Sequence, residues 1–123
     1  MKVLRTSEIE QKERSSALFK GRVTVQPVLD ADNSDLRTNI INFDKGAVNV
    51  FHVHDVDQVL YVTKGEGIIA TEKEEIRIKP GDFVVIPAGE KHMTLNTGTE
   101  PLVLLCFFPV PDVTAGTTEF TGF

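Results

Sequence analysis

The chain has 123 residues, 41% of them hydrophobic and 25% charged, and a formal net charge of −5. That length accommodates one globular domain, and the acidic balance works against nucleic acid or an anionic membrane surface as a partner. One cysteine, Cys106, excludes an internal disulfide, the longest apolar run (residues 101–110) is too short to cross a bilayer, and the opening residues lack the apolar middle of a secretion signal; a cytoplasmic location is the expectation.

Residues 1–21 come first. Ser7 and Glu10 have the spacing of a helix capping box, but Ile9, Ala17 and Leu18 form no apolar stripe behind them, so this segment reads as coil or a frayed arm. From residue 22 the character changes to short β-type runs: 22–29, Leu36–Phe43, 49–54, 59–63, Gly67–Thr71, Glu75–Ile78, Phe83–Ile86, 91–96 and 102–108, separated by turn-forming Asp, Gly and Pro residues. In Glu75–Ile78 apolar and charged residues take turns, which predicts one wet face. Many short strands at regular spacing predict an all-β sandwich or barrel. Cys106 lies in an apolar run and reads as a small buried hydrophobe. Residues 110–123 are rich in Thr and Gly, and their Phe120 and Phe123 predict a tail packed on the barrel or on a partner subunit. The expected organisation is an arm over 1–21, a barrel over 22–109 and a tail over 110–123.

The chain's three histidines carry the chemistry. Residues two apart on a strand share a face, so His52 and His54 project together while Phe51 and Val53 take the other side. A short reversal through Asp55 and Asp57 returns Gln58 on the neighbouring strand, with Leu60 and Val62 as an apolar floor. His92 follows the tight turn Pro87-Ala88-Gly89. Imidazole is the commonest protein ligand for divalent transition metals, and three nitrogens leave coordination positions open. Taken alone, a His-x-His pair is more often a surface or satisfied core feature. The surrounding punctuation is more specific: G(X)5HXH(X)3Q(X)6G from Gly46 to Gly65, then G(X)5PXG(X)2H(X)3N from Gly81 to Asn96.

These two blocks resemble the paired signature motifs of the cupin superfamily. The second matches at every position, and the first departs only at Gln58, where that superfamily usually carries Glu. The resemblance implies a double-stranded β-helix, a jelly-roll barrel, with His52, His54, Gln58 and His92 holding a divalent transition metal (Mn, Fe, Ni or Zn) inside the barrel mouth. It also implies a homodimer, with residues 22–29 as a strand that crosses between subunits. The stretches FKGRVTVQPVL, GAVNVFHVHDVDQVL and PGDFVVIPAGEKH are similar to small single-domain cupins of the conserved-barrel type. That group includes carboxymuconolactone-decarboxylase-associated cupins and manganese cupins with hydroxynitrile lyase activity. Lyase-active relatives use an additional histidine near the metal, which this chain lacks, and that weighs against transferring this one activity.

Gln58 brings a neutral carbonyl oxygen where a glutamate brings a charge, so a bound divalent ion keeps its full charge. That strengthens Lewis acidity and disfavours oxidation of the metal, which points to lyase, isomerase or decarboxylase chemistry on a small oxygen-bearing substrate. If Gln58 lies outside the ligand set, a three-histidine dioxygenase is the reading instead. A non-catalytic binding or sensing domain is the alternative from another class. All histidines being committed, no catalytic acid or base can be named: Asp55 and Asp57 read as turn formers and Tyr61 faces away by strand parity. Asn96 shares the parity of His92 and is expected to tie a loop.

Overall fold

The computed structural model describes residues 1–109; the tail expected over 110–123 lies outside the described residues. In chain order the strands are β1 (Lys12–Glu13), β2 (Phe19–Lys20), β3 (Val23–Leu29), β4 (Leu36–Phe43), β5 (Val48–His52), β6 (Gln58–Lys64), β7 (Gly67–Thr71), β8 (Glu75–Ile78), β9 (Phe83–Ile86), β10 (His92–Asn96) and β11 (Leu102–Pro109). They form two antiparallel sheets, β1-β3-β4-β11-β6-β9 and β2-β5-β10-β7-β8. The all-β sheets are of the sandwich or barrel kind expected from the pattern of short alternating runs, and they form the jelly roll that the resemblance implied.

The alternation decides which face goes inward. Along β11, Leu102, Leu104, Cys106 and Phe108 are buried while the residues between them are not; along β6, Gln58, Leu60 and Val62 are buried. The inner faces meet in one core in which Val23, Ile41, Phe43, Val62, Leu102 and Leu104 are at most 1% exposed. Burying a side chain of this kind contributes roughly 1.5–3 kcal/mol. The eight-residue pairing of β11 with β4, from Leu102↔Phe43 to Pro109↔Leu36, keeps the register, since a one-residue slip would turn the apolar set outward. The connection from β6 to β7 turns at Gly65, whose φ is +81° and where a Cβ would run into the carbonyl oxygen of Pro101. Only glycine satisfies both conditions.

The arm differs from expectation. A single 3-10 turn, Thr6–Glu8, precedes two short strands: β1 adds to β3 (Lys12↔Val25) and β2 adds to β5 (Phe19↔Asn49). Edge pairing uses backbone groups, so it needs no apolar stripe and leaves none in the sequence. Gln26 fastens the arm: its Nε2 donates to the carbonyls of Thr6 and Ile9, both at 2.8 Å. Strand β3, within the segment expected to cross between subunits, pairs with β4 of its own chain. None of the helices among the described residues is long and apolar enough to cross a membrane.

Candidate metal centre

The strand that carries His52 is not regular. Across β5 and β10, His52 lies opposite His92, but Asn49 lies opposite Thr94. Three steps along β5 match two along β10, so one extra residue is accommodated as a β-bulge around Val50 and Phe51. A bulge breaks the alternation and re-aims side chains. Asn49 and His52, of opposite parity, are consequently both buried, at 2% and 7% exposure, whereas Phe51 is 42% exposed. Regular alternation places Asn49 outward; the bulge is what that reading missed.

Strand β5 ends at His52, so His54 stands beyond the strand on which it was expected. It is nevertheless buried, at 2% exposure. Two bonds hold its loop to the turn before His92: the Gly89 N–H donates to the His54 carbonyl at 2.9 Å, and the Ala88 N–H donates to Asp57 Oδ1 at 2.9 Å. Asp57 is therefore a turn-forming residue that also joins the two motif blocks.

These constraints bring the three imidazoles together. Ring centroids are 4.7 Å apart for His52 and His54, 4.3 Å for His52 and His92, and 5.3 Å for His54 and His92. One nitrogen from each ring can be chosen so that all lie within 4.8 Å of one another. Backbone carbonyls set the tautomers. His52 Nδ1–H donates to Val50 O at 2.6 Å and His92 Nδ1–H donates to Glu90 O at 2.9 Å, leaving both Nε2 atoms as lone-pair donors. His52 Nε2 is 3.0 Å from His54 Nε2 and 3.4 Å from Asn49 Nδ2. All three rings are held neutral: burial pushes His54 down to about 3, and burial also lowers His52 and His92 against the opposing pull of their backbone bonds. Neutral imidazole is the ligand form.

Gln58 opens β6 in the facing sheet and is 1% exposed. Its Nε2 donates to Cys106 Sγ at 3.0 Å, while its Oε1 is buried with no hydrogen-bond partner, as is Asn49 Oδ1. Buried polar atoms are seldom left unmatched, and two carbonyl oxygens in this condition suit a cation. Cys106 is fully buried, and desolvation pushes its thiol up to about 12, so it is an inert neutral group. Asn96 has the structural role expected of it: its Nδ2 donates to Phe43 O and Glu100 O, and its Oδ1 accepts from Gly98 N. Tyr61 faces away from the histidines and stacks on Phe83, with centroids 4.6 Å apart. A recess of about 90 Å³, lined in part by Ile69, Glu74, Val84, Ile86 and Glu90, includes His92 but neither His52, His54 nor Gln58.

Comparison with known proteins bears on the family of the chain. The chain is 36% identical over 76 residues to an (R)-mandelonitrile lyase of Granulicella tundricola, covering 60% of this chain and 58% of that protein. It is 27% identical over 95 residues to an acireductone dioxygenase of Rhodopseudomonas palustris, covering 74% of this chain and 52% of the other. The chain thus spans little more than half the length of these curated relatives. A solved structure from Thermotoga maritima, described as a predicted oxalate decarboxylase, superposes with a TM-score of 0.81 at 27% identity, covering 89% of this chain and all of the other. The cupin domain model matches residues 39–108, more than half the chain and the span that holds both motif blocks and the three clustered histidines, and on that ground the chain belongs to the cupin family.

Proposed function

We propose that this chain is a divalent-metal cupin and a Lewis-acid enzyme acting on a small oxygen-bearing substrate, of lyase, isomerase or decarboxylase type. His52, His54 and His92 would hold the ion through nitrogen and Gln58 through Oε1. The observation that carries the reading is the convergence of three buried neutral imidazoles, two of them with Nδ1–H tied to backbone carbonyls; the buried, unmatched Oε1 of Gln58 in the facing sheet supports it as the fourth donor.

An ion held by four neutral donors keeps its full charge and would polarise a carbonyl or hydroxyl of the substrate. The chain's own contribution is positional. The backbone carbonyls of Val50 and Glu90 orient two rings, and the Asp57–Ala88 bond holds the two ligand-bearing segments together. The Asn49 amide, near His52 Nε2, is the one uncharged hydrogen-bonding group beside the imidazoles that sequence parity did not place there.

A second reading, a binding or sensing domain without catalysis, draws on one observation: Tyr61 is turned outward and the Asp57 carboxylate is occupied by a backbone N–H, so neither is placed as an acid or base. A dioxygenase remains the third reading, supported by the named relative. Self-association is supported by the outer face of the six-stranded sheet, where Phe83 and Val85 are 67% and 68% exposed. The expected setting is the cytoplasm.

The test is metal analysis of purified and reconstituted chain, then a screen of carbonyl and hydroxy-acid substrates with an oxygen electrode in the cell. Stoichiometric metal and turnover without oxygen uptake is the expected result. Oxygen consumption with any substrate would move the assignment to the dioxygenase reading, and no turnover at full loading would move it to the binding reading.

A further inference from the structure

Gln58 can serve a cation with one of its two ends only. Rotation of the amide by half a turn exchanges a carbonyl oxygen, which would bind an ion, for an NH2 group, which would repel it. Something must choose between the two. The two ends diverge from a single carbon, so whichever group holds the nitrogen also aims the oxygen.

In this chain the nitrogen is held by Cys106. Its Sγ accepts from Gln58 Nε2 at 3.0 Å across 48 residues of sequence, between two side chains that are 0% and 1% exposed. Cys106 lies on β11 opposite Leu60 of β6, among the inward residues Leu104 and Phe108. Every other inward position of β11 is a hydrocarbon side chain, unable to accept a hydrogen bond. The thiol is the one inward group of that strand that can. With Nε2 fixed on β11, Oε1 is turned away from that strand and stays buried without a protein partner. The sheet opposite carries His52 and His92.

We propose that Cys106 is a positioning residue for Gln58: its sulfur anchors the amide nitrogen so that Oε1 is presented to the three-imidazole site as the fourth donor. The inference rests on the metal reading above and adds to it the group that makes a neutral amide usable at this position. A hydrocarbon at 106 leaves the NH2 buried and unmatched in the metal-binding orientation. That penalty is of the size that lowers metal affinity by about tenfold. A hydroxyl at 106 can still accept and should preserve binding.

The experiment has two independent arms. In the metal-free wild type, through-space NMR contacts from the Gln58 side-chain NH2 protons to the Cys106 β-protons are expected; their absence overturns the orientation whatever the metal does. In the second arm, Mn2+ and Ni2+ are titrated calorimetrically into wild type, Cys106→Val, Cys106→Ser, Gln58→Ala and the Cys106→Val/Gln58→Ala double variant, with Cys106→Ala replacing the valine variant should that one not fold. Cys106→Val is expected to weaken binding about tenfold and Cys106→Ser less than about twofold, and Gln58→Ala should take away little more once Val is present. Equal losses from Gln58→Ala in the Cys and Val backgrounds, or wild-type affinity in Cys106→Val, would overturn the inference while the metal reading stands. A wild type that takes up neither ion would instead overturn the metal reading, and the fourth-donor role with it.

Discussion

Acid should destabilise the metal-free chain well before its carboxylates protonate, and the three histidines set the range. His54 is 2% exposed, and burial, reinforced by the neighbouring rings, lowers it from 6.5 to about 3. The unfolded chain takes up this proton near pH 6.5, whereas the folded chain refuses it until about pH 3. Stability is therefore full above 6.5, falls as the pH drops below that value, and levels off under the folded-state value. At pH 5, about 1.5 units below the unfolded-state value, His54 alone removes about 2 kcal/mol. His52 and His92 are lowered by the same burial and add in the same direction. With a urea m-value of about 2 kcal/mol per molar, the unfolding midpoint should fall by about 1 M or more between pH 7.5 and pH 5. The assay is urea unfolding of chelator-treated chain across that range, beside His54→Gln, whose curve should be distinctly flatter. A midpoint that is constant or rises on acidification would refute the argument, because it would mean the rings are solvated and titrate alike in both states.

Other consequences can be tested in the same preparations. Replacing Gln58 with Glu adds a negative donor and should tighten divalent-metal binding by on the order of tenfold in a chelator competition; unchanged affinity would place the side chain outside the ligand set. Asp57→Ala removes the carboxylate that accepts from Ala88 N and should lower unfolding stability by about 1 kcal/mol and metal affinity several-fold; an effect on stability alone would deny the bond a part in aligning the two motif blocks. Gly65→Ala combines a left-handed backbone with a collision against Pro101 O and should cost more than about 2 kcal/mol in urea unfolding, or prevent soluble expression.

What was legible in the sequence followed from local rules. Strand runs such as Leu36–Phe43, Gly67–Thr71, Glu75–Ile78 and Phe83–Ile86 have the bounds read from alternation and turn residues, because one wet and one dry face impose a period of two that survives in any context. The histidine cluster was legible because the glycines and proline spaced around it match a family signature; strand parity alone joined only His52 and His54. Three things were not. The bulge in β5 that turns Asn49 inward depends on a mismatch with β10, a partner more than forty residues away. The short strands β1 and β2 rest on backbone pairing at sheet edges and carry no pattern of their own. The Gln58–Cys106 contact joins side chains 48 residues apart, and nothing near either of them announces the other.

His52 and His92 are direct cross-strand partners in the β5–β10 ladder, so their spacing is written into main-chain hydrogen bonds. The backbone beneath two of the proposed donors is thus paired without any cation, and little reorganisation of it should accompany loading. Amide exchange along β5 and β10 ought then to look nearly the same before and after an ion is added. The speed of uptake would be governed by how fast the hydrated ion loses its water, with chain motion contributing little.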